Sequence, residues 1–345
     1  MGIVKSSQSF LEKGVVPDFL IRFGIRRLLK DKLKNELKDG VEFGQERFIK
    51  LTNQLRASPI AVETQKANEQ HYELPTEFFQ LCLGKHLKYS SAYWKPATDH
   101  LDQAEEDMLR ITGERADLAD GQSILELGCG WGSLSLFMAK KFPYAKIVGV
   151  CNSKTQKEYI DSKAREQGLR NLEIIVCDMN IFESSKQFDR VVSVEMFEHM
   201  RNYEKLMEKI SRFLKPGGKL FVHIFSHREH SYLYNEQEES DWIGRYFFTG
   251  GIMPSDHLLL YFQKDFQIDH HWRVSGIHYQ KTAESWLRKM DKNKEQILPI
   301  FEKTYGPEYA KWWVYWRVFY MACAELWGYK NGTEWMVSHY RFIKK

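Results

Sequence analysis

Cysteine is scarce in this chain, with five in 345 residues. Cys82, Cys129, Cys151, Cys177 and Cys323 are scattered through apolar segments. No CxxC pair or Cys/His cluster has metal-ligand spacing, so we expect no metal and no disulfide framework. The odd count suits a reducing compartment. Long hydrophobic runs are missing too. None approaches the ~18 residues of a membrane span, and the N-terminus lacks a charged-then-apolar signal pattern. A cytoplasmic location without stable membrane insertion is the expectation. Nor does charge of one sign dominate: 50 basic residues face 46 acidic ones, for a formal charge of +4. Such a balance gives no footprint for a nucleic-acid partner.

What remains is ample core material, with 43% hydrophobic and 14% aromatic residues. Residues 1–68 read as polar and helical, ending near Pro59. Within them the stretch from Pro17 spaces apolar residues helically, with Arg22, Arg26, Arg27 and Lys30 between. A basic amphipathic helix can lie on anionic lipid, but packing on its own protein is the favoured reading. From Asp120 short apolar runs alternate with helices. Buried parallel strands are expected at 123–127, 146–151, 172–177, 188–194 and 219–224, with helices near 133–142, 154–167 and 203–214. This alternation predicts an α/β fold with a doubly wound, Rossmann-like sheet. Residues 1–119 would form a helical cap covering the cofactor, and 120–345 the core. A lid or substrate-wall insertion is expected at about 226–330. Helices are expected near 282–303 and 307–327, and the strand-like 335–343 could close the sheet antiparallel.

The densest chemistry lies in LELGCGWGS. Gly128-Cys129-Gly130-Trp131-Gly132 follows a strand and opens a helix, where glycine permits a sharp turn and close approach to a ligand. The spacing is G-x-G-x-G with Glu126 just ahead, not the G-x-G-x-x-G/A of dinucleotide enzymes. It resembles the turn of class I S-adenosylmethionine-dependent methyltransferases, so S-adenosyl-L-methionine is the expected cofactor. The second strand ends without the usual ribose-binding acid; Asn152 and Gln156 offer hydrogen bonds instead. Asp178 can accept from an adenine amino group, and Met179 offers an apolar face. In VEMFEHM, Glu195, Glu198 and His199 stand three and four apart. On one helical turn after the fourth strand they would share a face.

The strings NEQHYELPTEFF, LKYSSAYW, LELGCGWGSLSL, GVCNSKTQ, VEMFEHM, RYFFTGGIMPS and EWMVSHY resemble the coclaurine N-methyltransferase branch of a superfamily that also contains cyclopropane fatty-acid synthases. The resemblance runs from about residue 59 to the C-terminus. It implies a class I methyltransferase core that methylates the nitrogen of a small, tetrahydroisoquinoline-like amine. It further implies that Tyr89, Ser90, Gly128, Gly130, Asn152, Gln156, Asp178 and Val194 reach the cofactor, and that Tyr72, Glu195, Glu198 and His199 line the reaction site. Such a site needs a carboxylate to hold the ammonium and a base to take its proton. The aromatic Trp242, Tyr246, Phe247 and Phe248 of the insertion suit a flat acceptor or a lipid tail equally.

The rival branch transfers to a lipid alkene with a bound bicarbonate as base. Glu198, His223, Tyr279 and Cys323 match the positions that the resemblance associates with that anion. Against it stands Glu195, where the synthases typically carry glycine. A nucleotide-binding scaffold without catalysis is a third reading, which the intact turn and the carboxylate–histidine cluster oppose. The choice of amine and the existence of a homodimer stay open.

Overall fold

Five apolar runs pair side by side in parallel and set the frame of the molecule. We describe residues 10–36, 38, 40–62, 74–234 and 241–345 of a computed structural model. The strands are β1 (Ser123–Leu127), β2 (Lys146–Cys151), β3 (Leu172–Val176), β4 (Phe188–Val194) and β5 (Leu214–His227). After them come the two-residue pair β6 (Tyr232–Leu233) and β7 (Ile252–Met253), then β8 (Phe266–Val274) and β9 (Trp335–Lys344). One sheet has the order β3-β2-β1-β4-β5-β9-β8. Its first five strands are parallel, while β9 runs antiparallel to both β5 and β8. Ile124, Leu125, Leu127, Val191 and Val192 are buried because helices cover both faces.

The connection reverses direction at β1, which lies between β2 and β4. Loops leaving the carboxyl ends of β1 and β4 therefore diverge and open a crevice. This is the doubly wound, Rossmann-like α/β sheet that the strand–helix alternation implies, extended by the antiparallel strands β9 and β8.

The covering helices are α1 (Asp18–Glu36), α2 (Gly40–Ala57), α3 (Thr76–Cys82), α4 (Leu101–Arg115), α5 (Ser133–Lys141), α6 (Lys154–Glu166) and α7 (Tyr203–Phe213). Beyond them lie α8 (Trp242–Tyr246), α9 (Gly276–Lys292), α10 (Lys294–Tyr305) and α11 (Tyr309–Gly328). Helix α1 packs Ile21, Ile25 and Leu29 on the aromatic core that Trp316 and Tyr320 of α11 help to form. Two of its basic residues are spent on that contact: Arg22 reaches Glu284 at 2.6 Å and Glu325 at 2.9 Å, and Arg26 also pairs with Glu325.

Two elements differ from the sequence expectation. The helix expected at 282–303 starts earlier, at Gly276, and is divided at Asn293. Ser275 caps its start by accepting from the Ile277 amide. The edge strand β8 lies inside the segment read as lid. Its polar FQIDHHWRV alternation is that of an edge with one face towards solvent. Among the described residues no helix is long and apolar enough to cross a membrane, and no group of three His, Cys, Asp or Glu could hold a metal.

Candidate active site

The glycine turn is built by a shared acceptor. The Gly128 and Cys129 amides both donate to the Val150 carbonyl at 2.9 Å, folding the chain back over the end of β2. Gly128 has φ +78°, and a Cβ there would stand 2.6 Å from the Met196 side chain. Gly130 has φ +51° and faces open space. Only glycine meets both demands cheaply. Glu126 does not line the crevice. Its side chain is buried beneath the turn, where the Ser135 hydroxyl donates to it, and burial pushes its pKa up to about 8. The expected cofactor contact becomes a brace between β1 and α5, because strand alternation turns this carboxyl inwards.

A cleft of about 820 Å³, partly open to solvent, runs along the ends of β1, β2, β3 and β4. Gly128, Gly130, Asn152, Gln156, Asp178 and Met179 line it, as do Glu195 and His199. Val62, Cys177, Met196, Met200, Thr249 and Gly250 complete the wall. The buried Gln156 amide nitrogen has no hydrogen-bond partner. An unpaired buried donor facing a cleft fits a ligand acceptor, as an adenosine would supply. Asp178 accepts the Asn180 amide at 2.7 Å, which fixes its carboxylate at the rim. The donor set and apolar Met179 thus fit a nucleoside, and the carboxylate–histidine pair lines the same cleft.

Other expected cofactor residues lie off the cleft. The Tyr89 ring sits between Phe79 and Trp286, with centroids 5.4 and 5.5 Å away. The Ser90 hydroxyl accepts from Lys88. Val194 packs on the apolar cluster around Ile124 and Phe221. Tyr72 falls outside the described residues.

Glu195 is the centre of the electrostatics. It leaves β4 with φ +47°, a conformation that costs a non-glycine residue roughly 1–2 kcal/mol. Its amide donates to the His223 carbonyl at 2.8 Å, which holds the strained turn. The side chain, 9% exposed, accepts three hydrogen bonds. The Ser91 amide and His223 Nε2 donate to Oε1 at 2.9 and 3.1 Å, and the Tyr279 hydroxyl donates to Oε2 at 2.6 Å. Burial raises its pKa; the Lys88 charge, the Ser91 and Tyr279 bonds and His199 act in the opposite sense.

Glu198 is the converse. It is fully buried, neither carboxyl oxygen has a partner, and burial with the adjacent Glu195 charge pushes its pKa far up. Of the two carboxyls, Glu195 has the donors that favour a charged form, and Glu198 has none. His199 lines the cleft against Phe248, with ring centroids 4.7 Å apart. Burial lowers its pKa to about 4, with Glu195 opposing and Arg201 reinforcing, so its imidazole is neutral at physiological pH. The three residues do not share one helical face as expected. Glu195 precedes the turn in left-handed backbone, and only Phe197–His199 form a short 3-10 turn, sending Glu198 inwards.

The insertion divides its aromatics between core and cleft. Trp242 packs on Tyr315, and Phe247 stacks on Phe319 at 4.4 Å, so both serve the helical core. Phe248 reaches His199. Tyr279 stacks on Trp327 at 4.7 Å, which aims its hydroxyl at Glu195. The Cys323 thiol is pushed up by burial and by the Glu195 charge.

Sequence reasoning missed Lys88, Ser91 and His339. Lys88 is fully buried and bonds Ser90 Oγ at 2.5 Å and the Ser91 carbonyl at 2.8 Å; burial lowers its pKa to about 8. No local pattern marks a lysine as buried. His339 could have been suspected, because it shares the alternating face of Trp335 and Val337 in an apolar strand.

Comparison with known proteins agrees with this geometry. The family model described as mycolic acid cyclopropane synthetase matches residues 61–330. The chain is 40% identical over 340 residues to (S)-coclaurine N-methyltransferase from Thalictrum flavum subsp. glaucum, covering 97% of this chain and 94% of that one. It is 37% identical over 339 residues to pavine N-methyltransferase from the same plant, covering 97% and 95%. A crystal structure of coclaurine N-methyltransferase bound to N-methylheliamine and S-adenosylhomocysteine superposes with a TM-score of 0.96 at 40% identity, with all of both chains covered. The chain belongs to this family, as an S-adenosylmethionine-dependent N-methyltransferase of the coclaurine branch.

Proposed function

We propose that the acceptor is a small aromatic amine of tetrahydroisoquinoline type, that Glu195 holds its ammonium form, and that His199 takes its proton. One observation carries this reading. Three donors that an anion bound at this place could use, the Ser91 amide, His223 Nε2 and the Tyr279 hydroxyl, are engaged by the protein's own Glu195 carboxylate. A bicarbonate would meet a carboxylate in the place where those three donors point. A cationic amine meets a fixed carboxylate with one side on the cleft.

Bound S-adenosylmethionine supplies an electrophilic methyl group. The protein's part is to bring a nitrogen lone pair to it. Glu195 draws the ammonium out of water and offsets the repulsion between two cations. Neutral His199, which lines the same cleft, offers a lone pair to the departing N–H proton. Glu198, protonated, leaves a single negative charge in the site, so the amine is held at one point. The relatives named for coclaurine and pavine support this acceptor class.

A methylation assay with a panel of secondary and tertiary alkylamines, run beside an unsaturated phospholipid, tests the proposal. Product is expected on aromatic cyclic amines and none on lipid. Cyclopropanation of the lipid would overturn it.

A further inference from the structure

Behind Glu195 the hydrogen bonds continue into the protein. His223 Nδ1 lies 2.9 Å from His339 Nε2, and His339 Nδ1 lies 2.8 Å from Arg115 Nη1. Both imidazoles are fully buried, and they face each other as register partners across β5 and β9. Arg115 is the last residue of α4, and its guanidinium lies over the Trp272 ring at 5.2 Å.

A guanidinium has donors only. His339 Nδ1 must therefore accept, and in a neutral ring Nε2 then carries the hydrogen. His339 Nε2–H donates to His223 Nδ1, which leaves His223 Nε2–H pointing at Glu195 Oε1. The chain has one permitted direction.

We propose that Arg115 and His339 are positioning residues that lock this tautomer sequence, and that the lock keeps Glu195 ionised for its cationic substrate. With Arg115 removed, His339 is free to carry its hydrogen on Nδ1. The order then reverses, His223 Nε2 presents a lone pair, and Glu195 satisfies it by taking up a proton. Burial favours the neutral form of both histidines.

The other groups facing Glu195 are Lys88, Glu198, His199, Tyr279 and Cys323. Those facing the two histidines are Lys88, Arg115 and His271. All but Arg115 are unchanged in the variants below; loss of the Arg115 charge would itself move the limb the same way, so the wild-type tautomers decide between the two causes.

The inference rests on Glu195 as the amine-holding group, so one arm of the test is independent of activity. In wild-type enzyme with ¹⁵N-labelled histidine, His223 and His339 should both be Nε2–H tautomers. An Nδ1–H tautomer at either position would overturn the proposal even if amine methylation is sound. In the second arm, the acid limb of kcat/KM for tetrahydroisoquinoline is measured for Arg115→Met and Arg115→Lys. Losing one hydrogen bond to a charged group should move the limb up by about one to two pH units in Arg115→Met. Activity should recover at higher pH, and Arg115→Lys, which keeps a donor-only cation, should stay near wild type. An unmoved limb, or a loss equal at every pH, refutes the lock. Should Arg115→Met fail to fold, the wild-type tautomers decide alone. Should no amine be turned over, they still report on the lock.

Discussion

Glu195→Gln isolates the charge at the centre of the site. The amide oxygen can still accept from the Ser91 amide and His223 Nε2, while the Tyr279 hydroxyl rotates to accept the new N–H. Shape and packing survive, and only the negative charge is removed. A charge-assisted hydrogen bond to an ammonium contributes about 1.5–3 kcal/mol, and Coulomb attraction in a partly buried site is of similar order or larger. Together they predict a loss of about 2–4 kcal/mol in transition-state stabilisation, or roughly 30- to 1,000-fold in kcat/KM. Initial rates on tetrahydroisoquinoline at saturating S-adenosylmethionine measure it, with S-adenosylhomocysteine titration as the control. Cofactor affinity should stay within about threefold, since Asn152, Gln156 and Asp178 are untouched. The melting temperature should hold or rise, because a desolvated carboxylate has been neutralised. A variant within about threefold of wild type in kcat/KM, or a loss accounted for by weaker cofactor binding, would refute the electrostatic account.

Gln156→Leu removes the unpaired amide nitrogen from the cleft wall. Calorimetry with S-adenosylhomocysteine should show about five- to tenfold weaker binding, one neutral hydrogen bond's worth; unchanged affinity would put the nucleoside elsewhere. Glu126 keeps its proton in the folded state until about pH 8, whereas its ordinary value is 4.5. Between those values the folded protein binds the extra proton, so this group's contribution to stability is lost as pH rises through the window. Glu126→Gln lacks that loss. Its melting temperature relative to wild type should be higher at pH 8.5 than at pH 5 by at least about 2 °C, and a pH-independent difference would show that the carboxyl is ionised where it lies.

The sheet was legible because its signals are local. Runs such as SILEL and KIVGVC are apolar on both faces, and a glycine turn follows the first of them. The edge strand β8 was not, since its polar alternation resembles an irregular wall until β9 supplies a pairing partner. Basic helix α1 was ambiguous for a related reason. Its apolar stripe favours packing on protein without excluding lipid, and the placement of Glu284 and Glu325 opposite Arg22 supplies the contact.

The sequence by itself determined the strand series, the cofactor turn and the presence of a carboxylate and an imidazole at the end of β4. Each follows from neighbours a few positions apart, where backbone geometry alone relates the residues. Tertiary structure decided what each of those groups meets. Ser91, His223 and Tyr279, from 28 to 104 positions away, converge on Glu195. Glu198, three residues on, is buried with no hydrogen-bond partner. Charge in a buried site depends on desolvation and on donors brought in by the fold, and one-dimensional spacing carries neither.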